Sequence, residues 1–161
     1  EHHGDRTPLT LDRAFEAGIG LGYTFNNFEV LAAARYGVVG HNAWAGNIRA
    51  FYVIQPVDKL AIRIGPVLDF GSDKYTRTYF GITGAEAVSS GYTAYAPSGG
   101  LVSAGIEMIA TYKIADGWWM EFGARWDKFQ GDAADSPLVQ QGSDSRTVIR
   151  FGFRRAFNIN F

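Results

Sequence analysis

Charged residues recur at every second position in several segments of this chain, and they are the residues best placed to do chemistry. Six are carboxylates and six are arginines, so the set is electrically balanced. Side chains two residues apart in a β-strand point to the same side, which predicts one charged face. Its members are Glu16, Glu29, Arg35, Arg49, Arg63, Asp69, Glu107, Glu121, Arg125, Asp127, Arg150 and Arg154.

Two interpretations of this face are open if it lines the interior of a barrel. The charges would line a selective, water-filled pore, or they would pair across strands and fill the interior. Arginine outnumbers lysine on this face. Because a planar guanidinium suits bidentate pairing with carboxylates, we favour the paired interior.

Catalysis is not expected from these residues. Glu107 and Glu121 lie on adjacent predicted strands and could suggest the carboxylate pair of a glycosidase. The surrounding arginines would hold both carboxylates ionised, whereas the general acid of such a pair needs a raised pKa. Ser136, Ser143 and Ser145 share a loop that has no neighbouring histidine, which argues against a serine nucleophile.

No metal site or cofactor is expected either. His2, His3 and His41 are not at metal-ligand spacing within one element. Asp132, Asp135 and Asp144 lie near Gly131 and Gly142 and could suggest a Ca²⁺ site, yet their spacing is not that of an EF-hand loop.

Composition excludes several classes of protein. Fifteen Lys and Arg against 16 Asp and Glu give no general attraction to nucleic acid. Absence of Cys rules out disulfides and thiolate metal sites. The chain has no run of about 18 apolar residues, so no membrane-spanning helix is predicted. The 15% aromatic content and 20 glycines among 161 residues suit a β-barrel.

Alternation of apolar and polar residues predicts seven antiparallel strands in a single domain. The connections between them alternate between short and long, which is typical of an outer-membrane β-barrel. Short turns then lie on the periplasmic side, and the carboxyl terminus with them. The predicted strands are Leu11–Phe25, Phe28–Val38, Trp44–Gln55, Lys59–Gly71, Leu101–Ile114, Trp118–Phe129 and Arg146–Phe161. The short turns are Asn26-Asn27, Pro56-Val57-Asp58 and Ala115-Asp116-Gly117.

The opposite face of each strand is apolar, and it would meet outer-membrane lipid. In a soluble barrel the same face would point inward. The two-residue period alone does not distinguish a soluble barrel from a membrane barrel. Strand length, the alternating connections and aromatic residues beside the short turns favour the membrane. We place Val102 on this apolar face. We also expect a β-bulge at Pro66, because proline has no N–H to donate to the neighbouring strand.

The last strand ends on a terminal Phe, which fits a closing strand that the barrel-assembly machinery would engage. Its predicted lipid-facing residues are Ile149, Phe151, Phe153, Phe157, Ile159 and Phe161.

Two further expectations concern the loops and the strand count. Thr83-Gly84-Ala85-Glu86 is a capping-box pattern, so a short helix stopping at Gly91 is predicted in the longest outer loop. Seven strands is an odd number, whereas single-chain bacterial barrels have even numbers. Strands are therefore expected to be missing at the amino end.

Several segments resemble the MipA/OmpV family of outer-membrane proteins. They are Tyr79 to Thr83, Ala85 to Ala87, Ser89 to Gly91, the strand with Leu60 and Gly65-Pro66, and the outer-loop motif Gly131, Asp132, Ala133, Ala134, Asp135, Ser136, Pro137, Leu138 and Val139.

The resemblance implies about five further strands, and so a barrel of about 12. It implies a scaffold that brings a lytic murein transglycosylase to a penicillin-binding synthase, or in some members an adhesin or a stress-linked protein. No catalytic residues come with the family. A small-solute channel remains the alternative that the fold suggests.

Overall fold

The computed structural model describes residues 15–39 and 42–156, and these form one antiparallel sheet with four short helices. Neighbouring strands in the chain are neighbours in the sheet, in the order β1 to β7. The seven predicted strands are confirmed; closure of the sheet into a barrel stays a prediction. The strands are β1 Phe15–Phe25, β2 Phe28–Val39, β3 Trp44–Val57, β4 Leu60–Gly71, β5 Gly100–Ala115, β6 Trp118–Phe129 and β7 Ser145–Arg155.

Each of the three short connections is a two-residue turn. The first is Asn26-Asn27, as predicted, and Asn26 adopts a positive φ of 51°. The other two are shorter than predicted, because β3 continues through Pro56 and Val57 and β5 continues through Ala115. A register shift between Ile54 and Val57 absorbs the proline, which has no N–H to donate.

Four helices lie in the two longest connections. They are α1 Asp73–Phe80, α2 Gly84–Ser90, α3 Gly131–Ala134 and α4 Pro137–Gln141. Only α2 is predicted by the sequence, and its capping box and left-handed Gly91 are both present. The backbone N–H and hydroxyl of Thr83 donate to Glu86 and lower the pKa of its carboxyl. Within the described ranges, no helix is both long and apolar enough to cross a bilayer.

The two faces of the sheet are inverted relative to a soluble protein. Large apolar side chains are exposed, among them Ile19 at 70% and Phe151 at 62%. On the opposite face, Glu107 and Asp127 are 0% and 1% exposed. The predicted aromatic residues beside the short turns, Tyr23, Phe25, Phe28, Tyr112 and Trp118, are all exposed as well.

The apolar assignment of the last strand can be followed as far as Arg155. Ile149, Phe151 and Phe153 are exposed on the apolar face. Phe151 and Phe153 meet edge to face, with ring centroids 5.1 Å apart. The predicted Phe157, Ile159 and Phe161 lie outside the described residues.

Val102 is not on the apolar outer face, and its predicted position is wrong. The pairing of β4 with β5 shifts between Asp69 and Phe70, so that Asp69 faces Ser103 and Phe70 faces Leu101. This bulge inserts one residue and turns Val102 toward the charged face, where it is buried.

The expected bulge at Pro66 is also wrong. Pairing continues through Pro66 without a register shift on the β5 side. On the β3 side the backbones approach closely instead, and a Cβ on Gly65 would lie 1.9 Å from the Ala50 carbonyl oxygen. Glycine therefore accommodates the irregularity that the proline creates.

This close approach predicts that Gly65→Ala destabilises the sheet by about 1–3 kcal/mol, the usual cost of overpacking. A methyl group there cannot fit unless the β3 backbone moves away. The free energy of unfolding, measured by urea titration of the protein refolded in lipid vesicles, provides the check.

Gly20→Ala is the matched control. Gly20 lies in β1, and its added Cβ would make ordinary contact 3.7 Å from the nearest heavy atom. We expect little change there. Equal losses at the two positions would show that the close approach does not limit stability.

Candidate functional site: a charged cluster beneath a loop cap

The two longest connections are joined into one structure, called here the loop cap and consisting of residues 72–99 and 130–144. The buried Ser136 hydroxyl donates to the Phe80 carbonyl over 2.7 Å. Asp132 accepts from the Ser98 N–H over 2.8 Å, and Asp73 accepts from the Gly99 N–H. The Ser136 and Asp132 contacts fix one connection against the other, and the Asp73 contact joins the two ends of the first connection.

The predicted outer-loop motif supplies much of this order. Gly131 begins α3 at a positive φ of 52°, which favours glycine. Asp132 and Ser136 bond to the other connection, as described above. Asp135 caps the carboxyl end of α3, and Pro137 opens α4, where a proline is well tolerated. The motif therefore orders the cap.

The cap is anchored to the sheet by a small apolar cluster. Phe80 of α1 meets Phe129 of β6 edge to face, with centroids 5.4 Å apart. The inward turn of Val102 at the bulge supplies an apolar surface for this contact. The cluster contains Phe80, Val102, Ala133 and Val139, with Tyr75 and Phe129 packed against it.

Below the cap, two carboxylates and two arginines form the first half of the charged cluster. Arg125 Nε donates to both oxygens of Asp127, at 2.7 and 2.9 Å, and its Nη2 reaches Asp69. Arg146 Nη2 lies 3.1 Å from Asp127. The Ser103 hydroxyl donates to Asp69 over 3.0 Å. The contacts join β4, β5, β6 and β7.

The second half of the cluster is centred on Glu107. This carboxylate is fully buried, and Arg150 of β7 donates to its Oε1. Arg49 of β3 lies 3.7 Å from Oε2, which makes no hydrogen bond. Glu107 is therefore held between two cations and is not accessible from outside.

The remaining predicted charges are distributed along the same sheet. Glu29 of β2 pairs with Arg63 of β4 over 2.9 Å, across the intervening strand. Arg154 stacks over the Trp119 ring at 4.9 Å, near the short-turn end. Glu121 is exposed.

The structure thus brings together Arg49, Asp69, Glu107, Arg125, Asp127 and Arg150 but leaves Glu121 apart from Glu107. Glu16 lies in β1, and its side chain is outside the described part of the chain. That the charged face lines a lumen stays a prediction.

Sequence reasoning places Ser103 on the polar face of the fifth strand without giving it a role, and it misses Arg146 and Tyr75. Arg146 could have been found, because it shares the parity of Arg150 and Arg154 in the last strand. Tyr75 could not, since α1 was not predicted.

A cavity of about 220 Å³ lies between the cap and the cluster. Tyr75 and Phe80 of α1 line it on the cap side, and burial raises the pKa of the Tyr75 hydroxyl, which therefore stays neutral. The sheet contributes mainly polar side chains to its wall. Those with charge are Arg35, Arg49, Asp69, Arg125, Arg146 and Arg150.

A family model described as MltA-interacting protein MipA matches residues 3–157. The chain belongs to the MipA family. The resemblance based on the strand and loop motifs is thereby confirmed. No curated protein matches the sequence significantly. In this MipA-family chain, the match includes every strand, the loop cap and the charged cluster.

Because the charged cluster is buried, removal of its central cation, Arg125, should strongly destabilise the protein. Arg125→Leu would leave the buried Asp127 with Arg146 alone, and we expect a loss of about 3–5 kcal/mol in the free energy of unfolding. Urea titration monitored by tryptophan fluorescence measures this.

Arg63→Leu serves as the matched control, because its pair with Glu29 is partly exposed and should contribute under about 1 kcal/mol. If the two variants lost equal stability, the buried network would not be a special determinant of stability.

Proposed function

We propose that this chain is a non-catalytic outer-membrane β-barrel protein that acts as an envelope scaffold for murein-processing enzymes. The observation that carries the proposal is the match of an MltA-interacting family to residues 3–157. The partner implied by that description is the murein-related enzyme MltA. A murein synthase enters the proposal only through the resemblance described above.

The inverted faces support the membrane location. An apolar belt of this extent on a soluble protein would be an aggregation hazard, whereas lipid would cover it. Aromatic residues beside the short turns match the interfacial girdle of outer-membrane barrels. Arg155, on the apolar face, stacks on Trp118 at 4.8 Å, which keeps its charge near the rim.

The outer edges of β1 and β7 support a larger barrel. In the described residues, β1 pairs with β2 alone and β7 with β6 alone. Unpaired backbone groups are very costly in lipid, so both edges need partner strands. Closure by further strands, 12 in all as the resemblance implies, would meet this need and make the count even.

Orientation follows from connection length. Outer-membrane barrels have short periplasmic turns and longer outer loops. We therefore place the loop cap outside the cell and the three short turns, with the carboxyl end, in the periplasm. The barrel-assembly machinery would engage β7 and the residues after it.

The cap and the cluster favour a scaffold over a channel or an enzyme. α1 lies over the charged face, and the charges beneath it are paired between strands. Both features oppose a wide aqueous path. Glu107 is fully buried and flanked by arginines, so it cannot act on a glycan as a general acid.

Lipid exposure of the apolar face predicts the effect of Ile106→Arg. Ile106 is near the centre of β5 and is 56% exposed, so the substitution should cost about 2–4 kcal/mol in lipid vesicles. Folding free energies from denaturant titration in vesicles give the value.

Ala61→Arg is the control on the charged face. Ala61 shares a row with Thr111 and Glu121, and an arginine there can reach the Glu121 carboxylate. A smaller cost is expected. Equal costs at positions 61 and 106 would contradict the assignment of faces.

If the protein is a scaffold, a lytic transglycosylase should bind directly to its periplasmic rim. The turns are too small to supply a standard interface of about 800 Å² per partner, so the rim around them must contribute. Lys59→Glu in a short turn should weaken binding about threefold or more, as rim charges do. Lys74→Glu, with the same change in the loop cap, should not. Surface plasmon resonance with the purified enzyme measures both.

Failure of the enzyme to bind would contradict the scaffold. So would steady, ion-selective openings in a planar bilayer that change when Arg125 is neutralised, because they would establish a conducting lumen.

A further inference from the structure

We infer that the cavity beneath the loop cap is a binding site for a small oxyanion, a carboxylate or phosphate group. The inference concerns the interior of the molecule and does not depend on whether a murein enzyme binds the rim. It rests on the balance of charge around the cavity, on its size and on the donors that face it.

Cations exceed anions around the cavity. Arg49, Arg125, Arg146 and Arg150 contribute four guanidinium groups to the wall. The carboxylates that pair with them number three, Asp69, Asp127 and Glu107. Among the described residues, one positive charge of this group is therefore not matched by a carboxylate. An anion would restore the balance.

Arg49 is the arginine of this group with unused hydrogen-bond donors. Its one ion pair in the cluster is long, at 3.7 Å from Glu107, and its buried Nε makes no hydrogen bond. Arg125, in contrast, has its Nε bonded to Asp127 and its Nη2 to Asp69. The Arg49 side chain lines the cavity and is 28% accessible, so a bound oxyanion would accept from the terminal N–H groups of its guanidinium.

The size of the cavity restricts the ligand. Its volume of about 220 Å³ is below the 300–1,000 Å³ of sites for drug-sized molecules. A phosphate or acetate ion fits, as does the acidic end of a larger molecule. Arginine forks favour such oxyanions over chloride, because two parallel N–H groups match two oxygens.

Binding of inorganic phosphate and, separately, of acetate to the detergent-solubilised protein tests the inference by isothermal titration calorimetry, against chloride at equal ionic strength. Saturable binding of at least one oxyanion is expected. The anion that binds with the higher affinity shows whether the site prefers a phosphate or a carboxylate group. In Arg49→Gln the affinity should fall about tenfold or more, since a charge-assisted hydrogen bond is lost.

Arg63→Gln removes the same charge from the same face but outside the cavity, and its affinity should be unchanged. Equal loss in both variants would overturn the inference, because it would reveal a general charge effect. So would oxyanion binding no stronger than chloride binding. If Arg49→Gln does not fold, Arg49→Lys keeps the charge but lacks the paired N–H groups of the guanidinium. Undiminished affinity in that variant would also overturn the inference.

Discussion

Neutralising the buried charges is the requirement on which this structure depends. Glu107 and Asp127 are withdrawn from water, and an ionised carboxylate is costly there unless cations and hydrogen bonds surround it. Their partners come from β3, β6 and β7, so the pairs form only when the strands hold one register. A one-residue slip would send each charge to the apolar face. The ion pairs and the strand register therefore specify each other.

The loop cap depends on the same sheet through one irregularity. The bulge at Asp69 and Phe70 turns Val102 inward, where it gives Phe80 and Val139 an apolar contact at the edge of a charged surface. Without this residue the cap would keep Phe129 of β6 as its apolar partner on the sheet, beside arginines and carboxylates. Asp69 itself accepts from Ser103 and Arg125 beside the bulge. One local change in pairing thus positions both the charged cluster and its cover.

The sequence predicts features that repeat or that carry local chemistry, and it fails where one residue alters a pattern. Alternation over many residues predicts all seven strands, and the Thr83 capping box predicts α2. Helix α1 escapes prediction because Tyr75, not an acid, stands three residues after its cap Ser72, and because its sequence is rich in aromatic and Thr residues, which are weak helix formers. The face of Val102 and the bulge at Pro66 are predicted wrongly, because the actual bulge at Asp69 and the close approach at Gly65 depend on the neighbouring strands. Ion pairing is predicted from charge balance, but partner choice requires the register.

The covered cluster also bears on how such a barrel would act in the envelope. A lumen for solutes needs mobile water and weak, replaceable contacts along its length. Here α1 lies over the charged face, and Arg125 with its partners Asp69 and Asp127 lies beneath it. Paired charges between strands resist changes in strand position, so they favour a rigid wall over an open path. Such rigidity is compatible with the proposed scaffold, whose partners would bind at the rim. Among the described residues, neutralisation of the acids leaves unexplained the surplus of arginine over carboxylate around the cavity.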